Sequence, residues 1–253
     1  MLGLKNKNVF ISGSSSGIGL DIAEKFLHYG SNVIINGRKK NKLKKIVTDF
    51  DEKNLYYIPG DVTKIKDVKK IYLNTKKIFK RIDILICNVG SGKSVAPGKE
   101  NYKEWQRVFA LNFWSTTNLV EVFKNDLIKS KGNIVCISSI CGLEKISNAP
   151  ITYSVAKSSL NSYVKSMSKY FGPFSVRINS IAPGNILFKN SSWDKKLRKN
   201  KKTTLSYINS NVPLNKFGKL EDISETVIWI ASEKSNFTTG ATFIIDGGQT
   251  SLF

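Results

Sequence analysis

Near its start the chain reads K-N-V-F-I-S-G-S-S-S-G-I-G-L-D-I-A-E-K-F, and no other stretch constrains the fold so tightly. Residues 8–12 make an apolar strand. Gly13, Gly17 and Gly19 then fall in a G-x-x-x-G-x-G turn, and an amphipathic helical run follows from Ile18 to about Tyr29. Strand, glycine turn and helix in that order form a phosphate cradle. Glycine permits tight dihedral angles and close backbone approach, while the helix N-terminus presents free N–H groups and a partial positive charge. The spacing differs from the more familiar G-x-G-x-x-G fingerprint, but its place between strand and helix predicts a nucleotide site.

Further strand-like runs at 32–36, 55–59, 83–87, 133–137, 175–181 and 241–246 alternate with helical stretches. That alternation predicts an α/β fold with a doubly wound parallel sheet of about seven strands and helices on both faces. Nothing suggests a linker or an internal repeat, so residues 1–253 are expected to form one domain. The second strand ends in Gly37-Arg38-Lys39-Lys40. A carboxylate at this position reads a free ribose 2′-hydroxyl, and a basic residue accommodates a 2′-phosphate. Arg38 can grip a phosphate through two donors, so the sequence favours NADP(H) over NAD(H).

Tyr153 and Lys157 stand four residues apart in T-Y-S-V-A-K-S-S-L, and Ser138-Ser139 closes an apolar run about fourteen residues upstream. On a helix, positions i and i+4 share a face, so the lysine ammonium can reach the region of the phenol. A fixed positive charge there favours phenolate and brings the tyrosine toward useful acid–base chemistry. The Ser139 hydroxyl can then hold a substrate oxygen beside it.

Taken together, these motifs resemble the short-chain dehydrogenase/reductase family in its single-domain, Rossmann-like form, from about residue 5 to the C-terminus. Alongside the glycine turn, the order is completed by Asp61-Val62, Cys87-Asn88-Val89-Gly90, Asn112, Ser138-Ser139, Tyr153-x-x-x-Lys157, Pro183-Gly184 and Asp246-Gly247-Gly248. The resemblance implies an oxidoreductase that moves a hydride between nicotinamide and a carbonyl or secondary alcohol, with a branch that reduces 3-oxoacyl groups on acyl carrier protein. It implies that Tyr153 is the proton donor or acceptor, that Lys157 tunes it and binds the nicotinamide ribose, and that Ser139 orients substrate. Gly142, three residues on, marks Ser139 rather than Ser138 for that role. Asn112 would hold a water in a proton relay. Gly13, Ser15, Ser16, Gly17, Ile18, Gly19, Arg38, Asp61, Val62, Asn88, Val89, Gly90, Pro183, Gly184 and Ile186, with Tyr153 and Lys157, would contact the cofactor. Departures from the family pattern include Val89 for an alanine, Ser16 where many NADP-binding relatives are basic, and Phe188 for a threonine that often bonds the nicotinamide carboxamide.

Forty Lys and Arg against nineteen Asp and Glu give a net charge of +21. The cations are mostly lysines spread through helices, without a basic–aromatic ladder, so no nucleic-acid partner is expected. One cluster, Lys195, Lys196, Arg198, Lys199, Lys201 and Lys202, falls in a segment, about 185–215, expected to act as a substrate lid. It is either a solvated face or a guide for an anionic, carrier-bound or phosphorylated substrate. The Ser- and Asn-rich lid leaves a second substrate class open, a sugar or nucleotide-sugar of surface-polysaccharide synthesis; a cofactor-sensing module without turnover is the remote alternative. Cys87, Cys136 and Cys141 lack metal spacing and suit a reducing compartment, His28 has no partner set, and no metal is expected. No apolar run approaches membrane-spanning length and no signal peptide is evident, which predicts a cytoplasmic protein without a membrane partner. Apolar residues on more than one helix face, Phe113, Trp114, Val120, Phe123, Tyr163, Met167 and Tyr170 among them, predict a homodimer or homotetramer.

Overall fold

A computed structural model describes residues 2–251. Its framework is a seven-stranded sheet of β1 (Asn8–Ile11), β2 (Asn32–Gly37), β3 (Leu55–Pro59), β4 (Ile84–Cys87), β5 (Asn133–Ile137), β6 (Arg177–Pro183) and β7 (Thr242–Ile245). The spatial order is β3-β2-β1-β4-β5-β6-β7, and every pairing is parallel. Strands buried on both faces need apolar side chains at consecutive positions, which is why these segments read as unbroken Val/Ile runs. In β1, Val9 and Ile11 enter one core and Phe10 the other; in β4, Ile84 and Ile86 part from Leu85 and Cys87 in the same way.

Helices α1 (Gly17–His28), α2 (Lys40–Phe50) and α9 (Leu220–Ala231) cover the first face, contributing Ile22, Phe26, Leu43, Ile223 and Val227. Helices α3 (Ile65–Ile78), α5 (Ser115–Ser130) and α6 (Ile151–Phe171) cover the second through Val68, Ile71, Phe123, Leu127, Leu160 and Val164. Helix α4 (Tyr102–Phe109) runs into α5 through a wide π-turn, Ala110–Trp114. Between β6 and α9 lie two further helices, α7 (Ser192–Lys199) and α8 (Lys201–Asn211).

The largest boundary difference from the sequence reading is β6. Ser175 takes a left-handed conformation (φ 59°) after a 3-10 turn, so pairing starts only at Arg177. The strand then continues to Pro183, because Ala182 and Pro183 find partners in Ile244 and Ile245. Of the residues expected to leave an apolar outer face, Val120 and Phe123 are instead fully buried under the sheet. Phe113, Tyr163 and Met167 pack against the same core, and only Trp114 and Tyr170 are exposed, at 41 % and 46 %.

Phe123 joins the strand core to two helices, with ring centroids 5.2 Å from both Phe10 and Tyr72. Phe123→Ala is expected to cost about 3–5 kcal/mol of unfolding free energy, the scale of a buried phenylalanine lost to a cavity. Urea unfolding checks this, and a loss under about 1 kcal/mol would show that the second core does not close on that ring.

Candidate active site

The chain leaves the middle of the sheet in opposite directions after β1 and after β4, and the crevice at that switch point is where open parallel sheets bind ligands. Four hydrogen bonds from Ser12 and Asn88 fix the turn there. The Ser12 hydroxyl donates to the Ile86 carbonyl (3.2 Å) and accepts from the Asn88 N–H (3.0 Å), and the Asn88 amide donates to the carbonyls of Ser12 and Gly13, both at 3.1 Å. The packing leaves no space for a side chain at Gly19, where a Cβ would lie 2.4 Å from the Asn88 amide nitrogen and 2.7 Å from the Gly13 carbonyl. Helix α1 begins with no side-chain cap and no acid in its first turn, so its N–H groups and positive end are available to an anion.

From this turn a cleft of about 770 Å³ runs across the sheet ends. Its walls include Gly13, Ser15, Ser16 and Ile18 from the turn, Arg38 beyond β2, Asp61 and Val62 beyond β3, and Asn88, Val89 and Gly90 beyond β4. Ser139, Tyr153, Lys157, Pro183, Gly184 and Ile186 line it further along. Gly17, Gly19 and Asn112 do not line the cleft; they sit behind its wall. The Phe188 ring packs onto Gly17, bringing the start of the β6–α7 connection against the glycine turn. Asp61 accepts the Thr63 N–H (3.0 Å) and hydroxyl (2.7 Å) through Oδ1, and its other oxygen makes no bond among the described residues. Arg38 is exposed and makes no ion pair or hydrogen bond among the described residues. A free helix N-terminus, a tight glycine turn, an unengaged guanidinium and a lone carboxylate oxygen fit a phosphorylated dinucleotide in this cleft.

Tyr153 and Lys157 project from the first turns of α6. Lys157 is only 2 % exposed, and its ammonium donates to the carbonyl of Ile137, the last residue of β5, at 2.7 Å. The turn after β5 presses on the helix from the other side. A Cβ at Gly142 would lie 2.5 Å from the backbone carbon of Lys157, so this approach admits glycine alone. The Ser138 N–H bonds to the Ile181 carbonyl (2.7 Å), making it a strand-end residue, while the Ser139 oxygen caps the short turn by accepting from the Cys141 N–H (3.2 Å).

Burial governs the titration of both groups. It pushes the Tyr153 phenol up to about 12; the Ser139 hydroxyl pulls it back and Cys141 adds to the rise. The same exclusion of water lowers Lys157 to about 8, against the opposing pull of Cys136, Cys141 and Cys87. The sequence reading expected the lysine to lower the phenol; in this arrangement desolvation prevails and the phenol keeps its proton.

Asn112 lies in the π-turn, 1 % exposed. Its Oδ1 accepts from the Ser91 N–H (2.8 Å), and its amide donates to Ser91 O (3.2 Å) and Val108 O (3.0 Å). These bonds fasten the loop after Gly90 to α4, leaving one lone pair of Oδ1 for a water in the implied relay. The cleft also takes in residues that sequence reasoning missed, notably Ser91, Lys93, Arg107 and Leu111, together with Ser192 and Trp193 from the segment expected to form the lid. Arg107 and Leu111 are i and i+4 on one face, but nothing in the sequence says that this face meets the cleft.

The comparisons with known proteins agree with this geometry. A family model described as enoyl-(acyl carrier protein) reductase matches residues 13–250. The 3-oxoacyl-(acyl-carrier-protein) reductase of Chlamydia muridarum is 31 % identical, with 97 % of this chain and 98 % of that protein aligned. Glucose 1-dehydrogenase 2 of Bacillus subtilis is 28 % identical over 98 % of this chain and 96 % of its own length. Among solved structures, L-sorbose reductase from Gluconobacter frateurii superposes with a TM-score of 0.93 at 24 % identity, covering 100 % of this chain and 99 % of that one. The chain therefore belongs to the short-chain dehydrogenase/reductase family of oxidoreductases.

Proposed function

We propose that the protein is an NADP(H)-dependent carbonyl reductase, and the observation that carries this is a half-buried Tyr153, one turn before the buried Lys157, in the same cleft as Ser139 and the glycine turn at the start of α1. At neutral pH the Tyr153 phenol carries its proton and can serve as the general acid of a reduction. NADPH supplies the hydride when bound. Tyr153 gives its proton to the carbonyl oxygen as charge develops there, and Ser139 supplies a second donor already aimed at that oxygen. Lys157, cationic below about 8, holds positive charge next to the reacting centre and the cofactor ribose. Asn112 positions the Gly90–Ser91 loop, and residues 185–215 act as the lid of one domain spanning residues 1–253.

Arg38 supports NADP(H), since the end of β2 offers a guanidinium and no acid; the L-sorbose reductase structure is described as a complex with NADPH and L-sorbose. A 3-oxoacyl thioester is the leading substrate reading, by likeness to the 3-oxoacyl reductases. A small hydroxylated ketone is the second, favoured by Trp193, which lines the cleft and stacks on Tyr207 at 5.4 Å. Three free thiols suit the cytoplasm, and no described helix is long and apolar enough to cross a membrane. A two-fold oligomer would cover Trp114, Val155 and Tyr170, which stand 41 %, 41 % and 46 % exposed on neighbouring helices.

Tyr153→Phe removes the transferable proton and little else, so kcat should fall by about 10²–10⁴ with NADPH affinity nearly intact. A variant keeping more than about a tenth of the wild-type rate would sink the assignment. Arg38→Ala should weaken NADPH about 10- to 100-fold and NADH little. Equal losses for both cofactors would show that Arg38 does not read the 2′-phosphate. A Cβ at Gly37 meets Ser15 at an ordinary 3.4 Å, so Gly37→Asp combined with Arg38→Ala should fold and shift preference toward NADH. Light scattering at micromolar concentration should give a dimer or tetramer; a monomer would mean the exposed aromatic face is not an interface.

A further inference from the structure

The six cations of the lid do not line the cleft. Lys196 lies over the Trp193 ring at 4.1 Å, Arg198 pairs with Asp194 at 3.0 Å, and the rest are exposed. Two other cations do reach the cleft at its mouth, Lys93 from the loop after β4 and Arg107 from α4.

Arg107 is held in place before any ligand arrives. Its Nε and Nη2 donate to the two oxygens of Glu104 at 2.8 and 2.7 Å, and Nη2 also donates to the Lys93 carbonyl at 2.9 Å. Glu104 in turn accepts the Ser94 hydroxyl at 2.7 Å, and Ser94 meets the hydroxyl of Thr152, the residue before Tyr153, at 2.6 Å. The chain of bonds registers the guanidinium to the catalytic tyrosine. Arg107 Nη1 and the Lys93 ammonium have no partner among the described residues. Glu104 does not line the cleft, and the sole carboxylate that does among the described residues, Asp61, stands beside β3 with the nucleotide-binding segments. The mouth of the cleft therefore holds one cation without a counter-charge among the described residues, Lys93, beside a guanidinium that Glu104 fixes in place with Nη1 left free.

We propose that Lys93 and Arg107 form a subsite for an anionic group on the substrate itself, a carboxylate or phosphate monoester a few bonds from the reacting carbonyl. The proposal rests on the carbonyl-reductase reading and, within it, favours a small anionic ketone over a 3-oxoacyl thioester, which carries no anionic group so close to its carbonyl. The lid cations lie outside this contact.

The test uses 3-oxobutanoate, 4-oxopentanoate and 5-oxohexanoate, each against its neutral methyl ester, in wild type, Lys93→Met, and a lid variant with Lys195, Lys199 and Lys202 all changed to Gln. Lys93 makes no side-chain bond among the described residues, so its variant should fold; Arg107→Met, which also frees Glu104, is the second probe. At one chain length or more, wild type should favour the acid by about tenfold in kcat/KM, the scale of one charge-assisted hydrogen bond. Lys93→Met should lose most of that preference through KM, the lid variant should keep it, and added salt should shrink it. Calorimetric titration of the same pairs in the presence of NADP⁺ gives the preference without turnover. Acid preference in binding with no ketone reduced would sustain the subsite and sink the reductase reading. Ester turnover without acid preference at any length would overturn the subsite alone. Preference abolished by the lid variant and untouched by Lys93→Met would also overturn it, as would binding of neither member of any pair.

Discussion

A buried ammonium organises this site. Lys157 reaches the end of β5 with a 2.7 Å bond to the Ile137 carbonyl, and the turn after that strand closes on its backbone through Gly142. Helix α6 is thus fastened to the sheet at the level where the strands end, and Tyr153, one turn earlier, is held half-buried in the cleft wall. Taking a charged amine out of water is costly unless it is bonded, and that desolvation is the main cause of the lowering of Lys157 to about 8. The same dryness keeps the phenol protonated. One packing arrangement therefore yields an acid that holds its proton and a cation that holds its charge through neutral pH.

The sheet supplies the other half. Because all seven strands run the same way, the segments following β1, β2, β3, β4, β5 and β6 gather along one edge, and the cleft is their shared border. The Ser12–Asn88 bonds lock the glycine turn to the neighbouring strand, so the turn and the Tyr153 phenol sit on one rigid frame. Hydride transfer needs that rigidity, since positioning supplies much of the rate.

Much of this was legible in the residues. The strand, G-x-x-x-G-x-G turn and helix at 8–29, the acid-free end of β2 and the Tyr153–Lys157 spacing have local physical meanings that survive folding, and the parallel sheet followed from alternation alone. Other features depend on tertiary contacts with no local signature. The π-turn at Ala110–Trp114 sinks Asn112 behind the wall, and nothing in A-L-N-F-W announces it. Val120 and Phe123 looked like surface candidates because a helix pattern shows which residues are apolar but not how wide a face the sheet will cover. The lid lysines drew attention by number, whereas Lys93 and Arg107, which join Arg38 and Lys157 in lining the cleft, stand apart in sequence and meet only through the fold. The phenol's upward shift was hidden for the same reason: spacing reveals the lysine, while burial is a property of the whole site.

The central claim is that a buried, depressed Lys157 carries the charge needed to capture the cofactor. The direct test is kcat/KM for NADPH across pH, which reports ionisations of the free enzyme. Lys157 is lowered from 10.5 to about 8, so it is cationic below that point and neutral above it. kcat/KM for NADPH should therefore decline above about pH 8, approaching tenfold per pH unit, and Lys157→Met should give a low value without that limb. A wild-type profile that stays level from about pH 7 to about pH 10, or the same limb persisting in Lys157→Met, would contradict it.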